Sequence, residues 1–509
     1  MDLSSKNRNI GIVLQYIQIG LHIIINLIYT PILLNILGQS EYGLYNLCVS
    51  VIAYLNIFSL GFNSGYLRFA SKYKSNDDEE GIKRLNGLYL IVFGIIGAIS
   101  LACGLIISHN ASIFLNNSYS SFDLHTAKTL LTILTVNLSL SFPLSVFTSY
   151  ITIQEKFIAQ KTLNIVKVVL SPMLAIGLLF WGYGSIGVVI ATTIINLSIE
   201  IVNVIYCMRH LKMKFCFNRF EKGLLKDIFV FCIFIAITQV VDQINWQADK
   251  IILGKFINAS AVAIYAIGSV INNMYISLSS AISGVFTPKI YNIMNNTSVT
   301  DEQKNIQLTN LLIGVGRWQF VVLIFVLLGF IFFGKYFILK WAGEGYDMAY
   351  YVVLLLITSA TFELIQSLNV DIRQAKEKHK FPAIFMLCVA VFNIMISIVL
   401  VMNIGIIGVA IGTAIATMVN VIVLDIYYYK HCGINMINFW KEILKLIPYT
   451  IVPIIVGVLF NVLWVINNPF VFILQVFLFI IVYAISLYLL GINNSEKQAI
   501  KSFIKKLKR

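Results

Sequence analysis

QVVDQINWQADKIILGK, residues 239–255, is the stretch on which the reading of this chain turns. It continues an apolar run that begins at Ile228, so Asp242, and with it Asp249 and Lys250, falls inside or at the edge of a helix long enough to cross a bilayer. An ionisable group at that depth costs about 2.5–3.5 kcal/mol on insertion scales and faces a polar cavity or a partner rather than lipid. Gln239, Asp242, Trp246 and Asp249 recur at i, i+3, i+7 and i+10, which is one helical face, with Gln243 and Lys250 beside them. Two readings of this polar stripe stand at the level of sequence. It is either hydrogen-bonding glue between helices, with Lys250 snorkelling to the surface, or the wall of a water-filled path.

Outward from that stretch the chain keeps the same character. Of its 509 residues 59% are hydrophobic and only 12% charged, and the mean hydropathy is +0.85, which excludes a string of soluble domains and describes a polytopic membrane protein. Polar gaps of no more than about 20 residues leave no room for a globular domain. The first apolar segment, Ile10 to Leu34, is too long for a signal-peptide core and lacks a small-residue cleavage site, so it is expected to be retained as a span. The net charge of +14 falls almost entirely on alternate loops, a positive-inside pattern that accounts for the excess without nucleic acid or another anionic partner. The seven cysteines are scattered and form no C-x-x-C pair, which indicates neither a disulfide framework nor a metal site.

The pattern predicts an all-α integral membrane fold with fourteen transmembrane helices, at 10–36, 43–63, 86–108, 126–151, 161–181, 184–207, 227–250, 258–286, 309–334, 346–369, 381–402, 404–428, 443–464 and 469–491. One set of loops carries Lys6 and Arg8, the cluster Arg68 to Arg84, Lys156 and Lys161, the run Arg209 to Lys226 including Arg219 and Lys222, and the tail KKLKR. The other set is nearly free of Lys and Arg apart from Lys250, Lys255, Lys335 and Lys340, which places both termini in the cytoplasm.

The chain also repeats itself. Residues 184–210, GSIGVVIATTIINLSIEIVNVIYCMRH, match 405–431, GIIGVAIGTAIATMVNVIVLDIYYYKH, at twelve positions without a gap, among them Gly184 with Gly405, Thr192 with Thr413 and His210 with His431. At nearly the same offset Ser40, Tyr45 and Ser59 fall on Ser260, Tyr265 and Ser279. Six helices per copy, an even number, make this a parallel repeat: two pseudo-symmetric six-helix bundles plus two C-terminal helices. The expected organisation is a lobe at 1–215, a second at 216–435, two extra helices at 436–491 and a basic cytoplasmic tail at 492–509. A shift of 220 lays His22 on Asp242 and Asn26 on Trp246, so that the stripe of Gln15, Gln18, His22 and Asn26 in the first span and the stripe of the seventh line one central cleft.

Further candidates lie outside these stripes. Arg317 in GVGRWQF is either a phosphate-binding fork or a snorkelling side chain. Glu363 in ATFELIQSLN reads as deep within the tenth span, a site for an internal ion pair or a proton. Glu200 and Asp425 lie near helix ends and are expected to snorkel, and Lys167 stands open between the two roles. The fourth and eighth spans are dense in Ser and Asn, which serve either as packing glue or as a wall that hydrogen-bonds sugar hydroxyls. The chain has no G-x-x-x-x-G-K-[ST] loop and no H-E-x-x-H motif, and its largest external loop, about 109–125, offers mainly Asp123 and His125; an enzyme is not expected.

YTPILLNILGQSEYGLYNLCVSVIAYLNIFSLGFNSGYLRFASKY (29–73), its counterpart DKIILGKFINASAVAIYAIGS (249–269) and the basic turn QEKF (154–157) resemble the superfamily of multidrug, oligosaccharidyl-lipid and polysaccharide exporters, and within it the branch that flips polysaccharide repeat units such as O-antigen. The resemblance implies two bundles facing a central cavity and alternating access that carries an undecaprenyl-pyrophosphate-linked oligosaccharide across a bacterial plasma membrane. It implies as partners the lipid-linked oligosaccharide, membrane lipids, a polysaccharide polymerase and glycosyltransferases, and no cofactor beyond a coupling H+ or Na+. The lipid II branch carries charged residues in its first helix where this chain has only His22 among its polar groups, and drug exporters have twelve spans. On this reading His22, Gln18, Asn26, Asp242, Trp246 and Asp249 line the cavity, Arg317 and Lys250 attract the pyrophosphate, and Asp242 or Glu363 binds the coupling ion. A cation-coupled multidrug exporter and a membrane-embedded glycan polymerase are the competing functions.

Overall fold

The computed structural model describes residues 3–59, 61–115, 119–218, 223–378 and 380–492. Residues 493–509 of the basic tail, Arg219 and Lys222, and the side chains of Lys6 and Arg8 lie outside the described residues. Everything described is helix or connection, with no strand. In chain order the α-helices are α1 (Leu3–Ala53), α2 (Phe62–Ser75), α3 (Glu79–His109), α4 (Ser121–Ile153), α5 (Phe157–Phe180), α6 (Gly184–Arg209), α7 (Leu224–Phe256), α8 (Ala259–Ser283) and α9 (Thr287–Asn295). They continue with α10 (Asp301–Trp341), α11 (Asp347–Leu364), α12 (Leu368–Ala375), α13 (Lys380–Ile404), α14 (Ile406–His431), α15 (Met436–Leu444), α16 (Ile447–Leu463) and α17 (Pro469–Ser486).

Among the described residues twelve helical segments are long and apolar enough to cross a membrane, and the pair Leu224–Ile233 and Ile235–Phe256, bent by 41°, makes a thirteenth. One of the twelve, Leu14–Ser75, runs for 62 residues. At ~1.5 Å per residue that is about three times the ~30 Å of hydrocarbon a span must cross. Gly38, with φ 71° and ψ 174°, breaks its helix where the sequence ends one span and begins the next. Counted as two spans, this segment makes the structure consistent with the expected fourteen.

Two compact units emerge, one of residues 1–267 with 383–413 and one of 268–382 with 414–509. They divide the chain differently from boundaries at 215 and 435, because helix α7 packs on the first half. Gly61 and Gly65 leave no room for a side chain against Ile235 and Cys232, and Gly254 leaves none against Leu47. Gly43 meets the backbone carbonyl of Ala259 in the same way. Such close approaches replace the hydrophobic drive that lipid removes between helices. Below them an aromatic cluster of Phe62, Tyr66, Tyr89 and Phe93 is fully buried, with Tyr66 and Tyr89 edge to face at 5.1 Å.

The second unit is organised along α10, which starts in a capping box between Thr300 and Gln303. Gln319, completely buried, donates to the hydroxyls of Ser279 (2.8 Å) and Ser367 (2.9 Å). Tyr483 on α17 donates to the carbonyl of Val321 at 2.6 Å and lies 2.8 Å from the hydroxyl of Tyr449 on α16. The two helices beyond the repeat are thus fastened to α10 by polar as well as apolar contacts.

Backbone geometry repeats with the sequence. Left-handed φ angles recur at Glu155 (56°) and Glu377 (54°), Gly184 (53°) and Gly405 (64°), and Lys212 (50°) and Gly433 (66°). The amide of Met213 donates to the carbonyl of Cys207 at 3.0 Å, as that of Ile434 does to Tyr428 at 3.2 Å. Two copies that share even their strained turns are one fold used twice.

Gly43→Val places a branched side chain against backbone that cannot yield. It is expected to lower stability by on the order of 3 kcal/mol, read as a fall in the thermal unfolding midpoint in detergent. Gly94→Ala, which has nothing within 4 Å, should leave the midpoint unchanged or raise it.

Candidate functional site

The stripe of α7 ends in a carboxylate that the fold has surrounded. Asp249 is only 3% exposed, and its Oδ2 accepts hydrogen bonds from the Tyr265 hydroxyl on α8 and from Thr413 Oγ1 on α14 at 2.8 Å. Behind Thr413 stands Asn393 on α13, whose Nδ2 is 3.4 Å from Thr413 Oγ1 and whose Oδ1 accepts from Ser397 at 3.2 Å. Asn393 is 2% exposed and Ser397 fully buried, and Gly412 has no room for a side chain because Ser397 occupies the space. Four helices thus converge on one acid.

Magnitudes decide whether this arrangement can hold a charge. A carboxylate at depth costs about 2.5–3.5 kcal/mol; two hydrogen bonds to an ionised acceptor contribute about 1.5–3 kcal/mol each. The group is therefore held without lipid contact and without an ion pair of its own across helices. Lys250, the next residue, is half-buried and points about 100° away around the helix, so it acts on Asp249 through the local field rather than face to face. Asp249, Thr413, Asn393 and Ser397 present one negative charge and three neutral side-chain oxygens. Hard oxygen donors with a single charge suit a monovalent cation or a proton, and no group of three His, Cys, Asp or Glu able to hold a metal ion occurs among the described residues.

The other expected residues divide into two groups. Asp242 and His22 are exposed side chains, Trp246 is 39% exposed, and Gln18 and Asn26 are partly buried. Asn26 Nδ2 lies 3.2 Å from the His22 ring, one turn away on α1. Where α1 and α7 meet, the contact is between Leu47 and Gly254, so neither polar stripe is used up in packing the two helices together at that point. Gln239 behaves as glue: its Oε1 accepts from Ser59 and from the amide of Gly61, both at 3.0 Å.

Arg317 and Glu363 need correction. Arg317 is 6% exposed, and its guanidinium donates to the carbonyls of Gly491 at 3.2 Å and Glu442 at 3.4 Å, with the Glu442 carboxylate at 3.9 Å. Its charge is engaged by carbonyls at Gly491, in the turn Leu487–Gly491 that follows α17, and at Glu442 rather than turned to a phosphate site. Glu363 is exposed and stands in the last turn of α11, since the chain leaves that helix at Leu364 and re-enters another at Leu368, so it is not the deep acid its distance along the span implied. Glu200 and Asp425 do not snorkel either: Glu200 accepts from Thr148 (3.1 Å) and Asn203 (3.4 Å), and Asp425 from the Trp440 indole (2.7 Å). Lys167 donates to Asn196, which in turn donates to Asn137 (2.9 Å) and Ser141 (3.2 Å), so the Ser/Asn face of α4 is one side of a network within the first unit.

Sequence reasoning named Asp249 but missed its partners Tyr265 and Thr413, and Asn393 and Ser397 behind Thr413. A signal was present, since Tyr265 and Thr413 are two of the polar positions that survive between the repeats, where apolar matches carry little information.

A model of the family described as polysaccharide biosynthesis protein matches residues 11–294, more than half of the chain. The chain belongs to that family. It is 22% identical over 408 residues to a putative O-antigen transporter of Shigella flexneri, covering 78% of this chain and 92% of that protein. Among solved structures it is similar to the lipid II flippase MurJ in an inward closed conformation, with a TM-score of 0.72, 19% identity and coverage of 94% of this chain and 97% of that one. It is also similar to an inward-facing multidrug resistance MATE family transporter of the MOP superfamily, with a TM-score of 0.62, 16% identity and coverage of 81% and 96%. These structures share the fold, and the chain is a multi-pass membrane protein of the polysaccharide biosynthesis family.

Arg317→Ala removes the donor from the buried carbonyl of Gly491, in the turn that follows α17. A loss of on the order of 2 kcal/mol is expected, measured by thermal unfolding, and Arg317→Lys should not restore it because one ammonium cannot reach both carbonyls.

Proposed function

We propose that this protein is a flippase that moves undecaprenyl-pyrophosphate-linked oligosaccharide repeat units across a bacterial plasma membrane, with both termini in the cytoplasm. Alternating access between the repeated lobes, 1–215 and 216–435, exposes the substrate path to each leaflet in turn. Membership of the polysaccharide family and likeness to an O-antigen transporter support the substrate class. Likeness to a flippase and to MATE transporters supports the architecture. The polymerase and glycosyltransferases that use and make such a lipid-linked glycan are the partners this role requires.

The observation that carries the reading furthest is the enclosed Asp249 carboxylate, fastened by hydroxyls from two other helices and, among the described residues, by no ion pair. Binding of H+ or Na+ there neutralises a charge that is costly inside the bilayer, and so ties the packing of α7, α8, α13 and α14 to the ion gradient. Asp242, Trp246, Gln18, His22 and Asn26 line the path for the sugar. With Arg317 engaged by Gly491 and Glu442, Lys250 is the cation assigned to the pyrophosphate.

Deleting the gene should leave lipid-linked oligosaccharide on the cytoplasmic leaflet, and the wild-type gene should restore export. At matched protein level Asp249→Asn is expected to reduce export by on the order of tenfold or more, as the loss of 1–3 kcal/mol of coupling implies. Export that is unchanged in Asp249→Asn removes the ion site from the mechanism. Drug resistance on expression with no change in glycan export would instead favour the exporter.

A further inference from the structure

A cavity of about 480 Å3 opens at the lysine-rich end of the first unit, and nothing in the transport scheme uses it. It is built where three connections meet: the turn between α2 and α3, the end of α4, and the segment that follows α6. Four of its lining residues are Lys74, Lys83, Lys212 and Lys214, and two are acidic, Asp77 and Glu79. The volume falls in the range of small-molecule sites.

The walls are fixed by specific bonds. Lys74 donates to the carbonyl of Ile153 at 2.7 Å, and Lys83 pairs with Glu80 at 2.6 Å. Asn86, held by the buried Tyr66 hydroxyl at 2.6 Å, donates to the carbonyl of Lys214 at 2.9 Å, and the Cys216 amide donates to the carbonyl of Lys83 at 2.9 Å. The segment 211–216 is therefore pinned across α3 with the side chains of Lys212 and Lys214 left exposed and in no ion pair among the described residues.

Lys212 has a φ of 50°, a left-handed conformation that a lysine adopts at a cost, and Asp77 across the cavity has a φ of 52°. At the position equivalent to Lys212 in the second copy the chain uses Gly433, for which that conformation is free. The second copy is also closed at this place, because Lys376 donates to Asn305 and to the carbonyl of Cys432. One copy of the fold thus seals the position with its own lysine. The other keeps it open and keeps a strained lysine at its mouth.

We propose that this cavity binds a phosphate ester that carries hydroxyl groups, of the phosphoglycerol class, with the ammonium groups on the phosphate and Asp77 and Glu79 accepting from the hydroxyls. The chemistry is shared by a glycerophospholipid headgroup and by free glycerol phosphate. The cavity opens where the spans α3, α4 and α6 end, within reach of either source.

The test uses the full chain purified in neutral detergent. Binding of phosphatidylglycerol, with phosphatidylcholine as the control lacking hydroxyls, is read by native mass spectrometry, and binding of glycerol 3-phosphate by calorimetry. The double variant Lys212→Gly with Lys214→Gln is suited to the purpose, since glycine relaxes the backbone and the thermal midpoint should hold or rise. Wild-type protein is expected to prefer phosphatidylglycerol or glycerol 3-phosphate, and the variant to lose on the order of tenfold in affinity for it. Binding of the lipid alone assigns a headgroup site and binding of the soluble ester alone assigns a metabolite site. Equal binding of phosphatidylcholine and phosphatidylglycerol without binding of the soluble ester, no binding of either ester, or undiminished binding by a folded variant overturns the proposal.

Discussion

Hydrocarbon offers no water to a stranded polar group, and the charged and amide side chains this chain carries into its spans depend on partners within the protein. Asp249 meets that demand with Tyr265 and Thr413. Gln319 meets it with Ser279 and Ser367, and Glu200 with Thr148 and Asn203. Apart from Asn203, which lies one turn along α6 from Glu200, each partner comes from another segment of the chain, so polar satisfaction and helix order are the same problem solved once. Charge separates Asp249 and Glu200 from Gln319: a satisfied amide stays as it is, whereas a carboxylate held by neutral donors can still take up a positive ion, and of the two acids Asp249 is the buried one.

What could be read from the sequence was whatever is spread along it. Spans announce themselves over roughly 20 residues, the loop charges alternate over the whole chain, and the duplication recurs at a fixed offset, so the membrane fold and its repeat were legible. What could not be read was direction. Arg317 lies in an apolar helix, and its distance from the helix start does not say that it turns toward Gly491 rather than a cavity. Glu363 was assigned depth because FELIQSLN contains neither Gly nor Pro to signal the break after Leu364. The partners of Asp249 come from two other helices, 16 and 164 residues away, and no local periodicity links them.

Comparison of the two copies separates what duplication preserves from what it releases. The left-handed turns at Glu155 and Glu377 and the matching bonds of Met213 and Ile434 survive, since a turn that loses its dihedral angles misplaces two helices at once. Side chains are freer. Tyr29 occupies the position that corresponds to Asp249 at the offset that aligns Tyr45 with Tyr265, and the hydroxyl of Tyr29 is buried without a partner. The acid belongs to one copy only.

Two helices that lie outside a repeat invite description as an appendix that could be trimmed away. The Arg317 guanidinium makes them a structural necessity, because it donates to the carbonyl of Gly491, in the turn that follows α17, and faces Glu442 ahead of the pair. A shortened protein ending near 435 would lose both carbonyls on which that cation is seated, so the chain cannot be trimmed back to its repeat without unseating a buried charge.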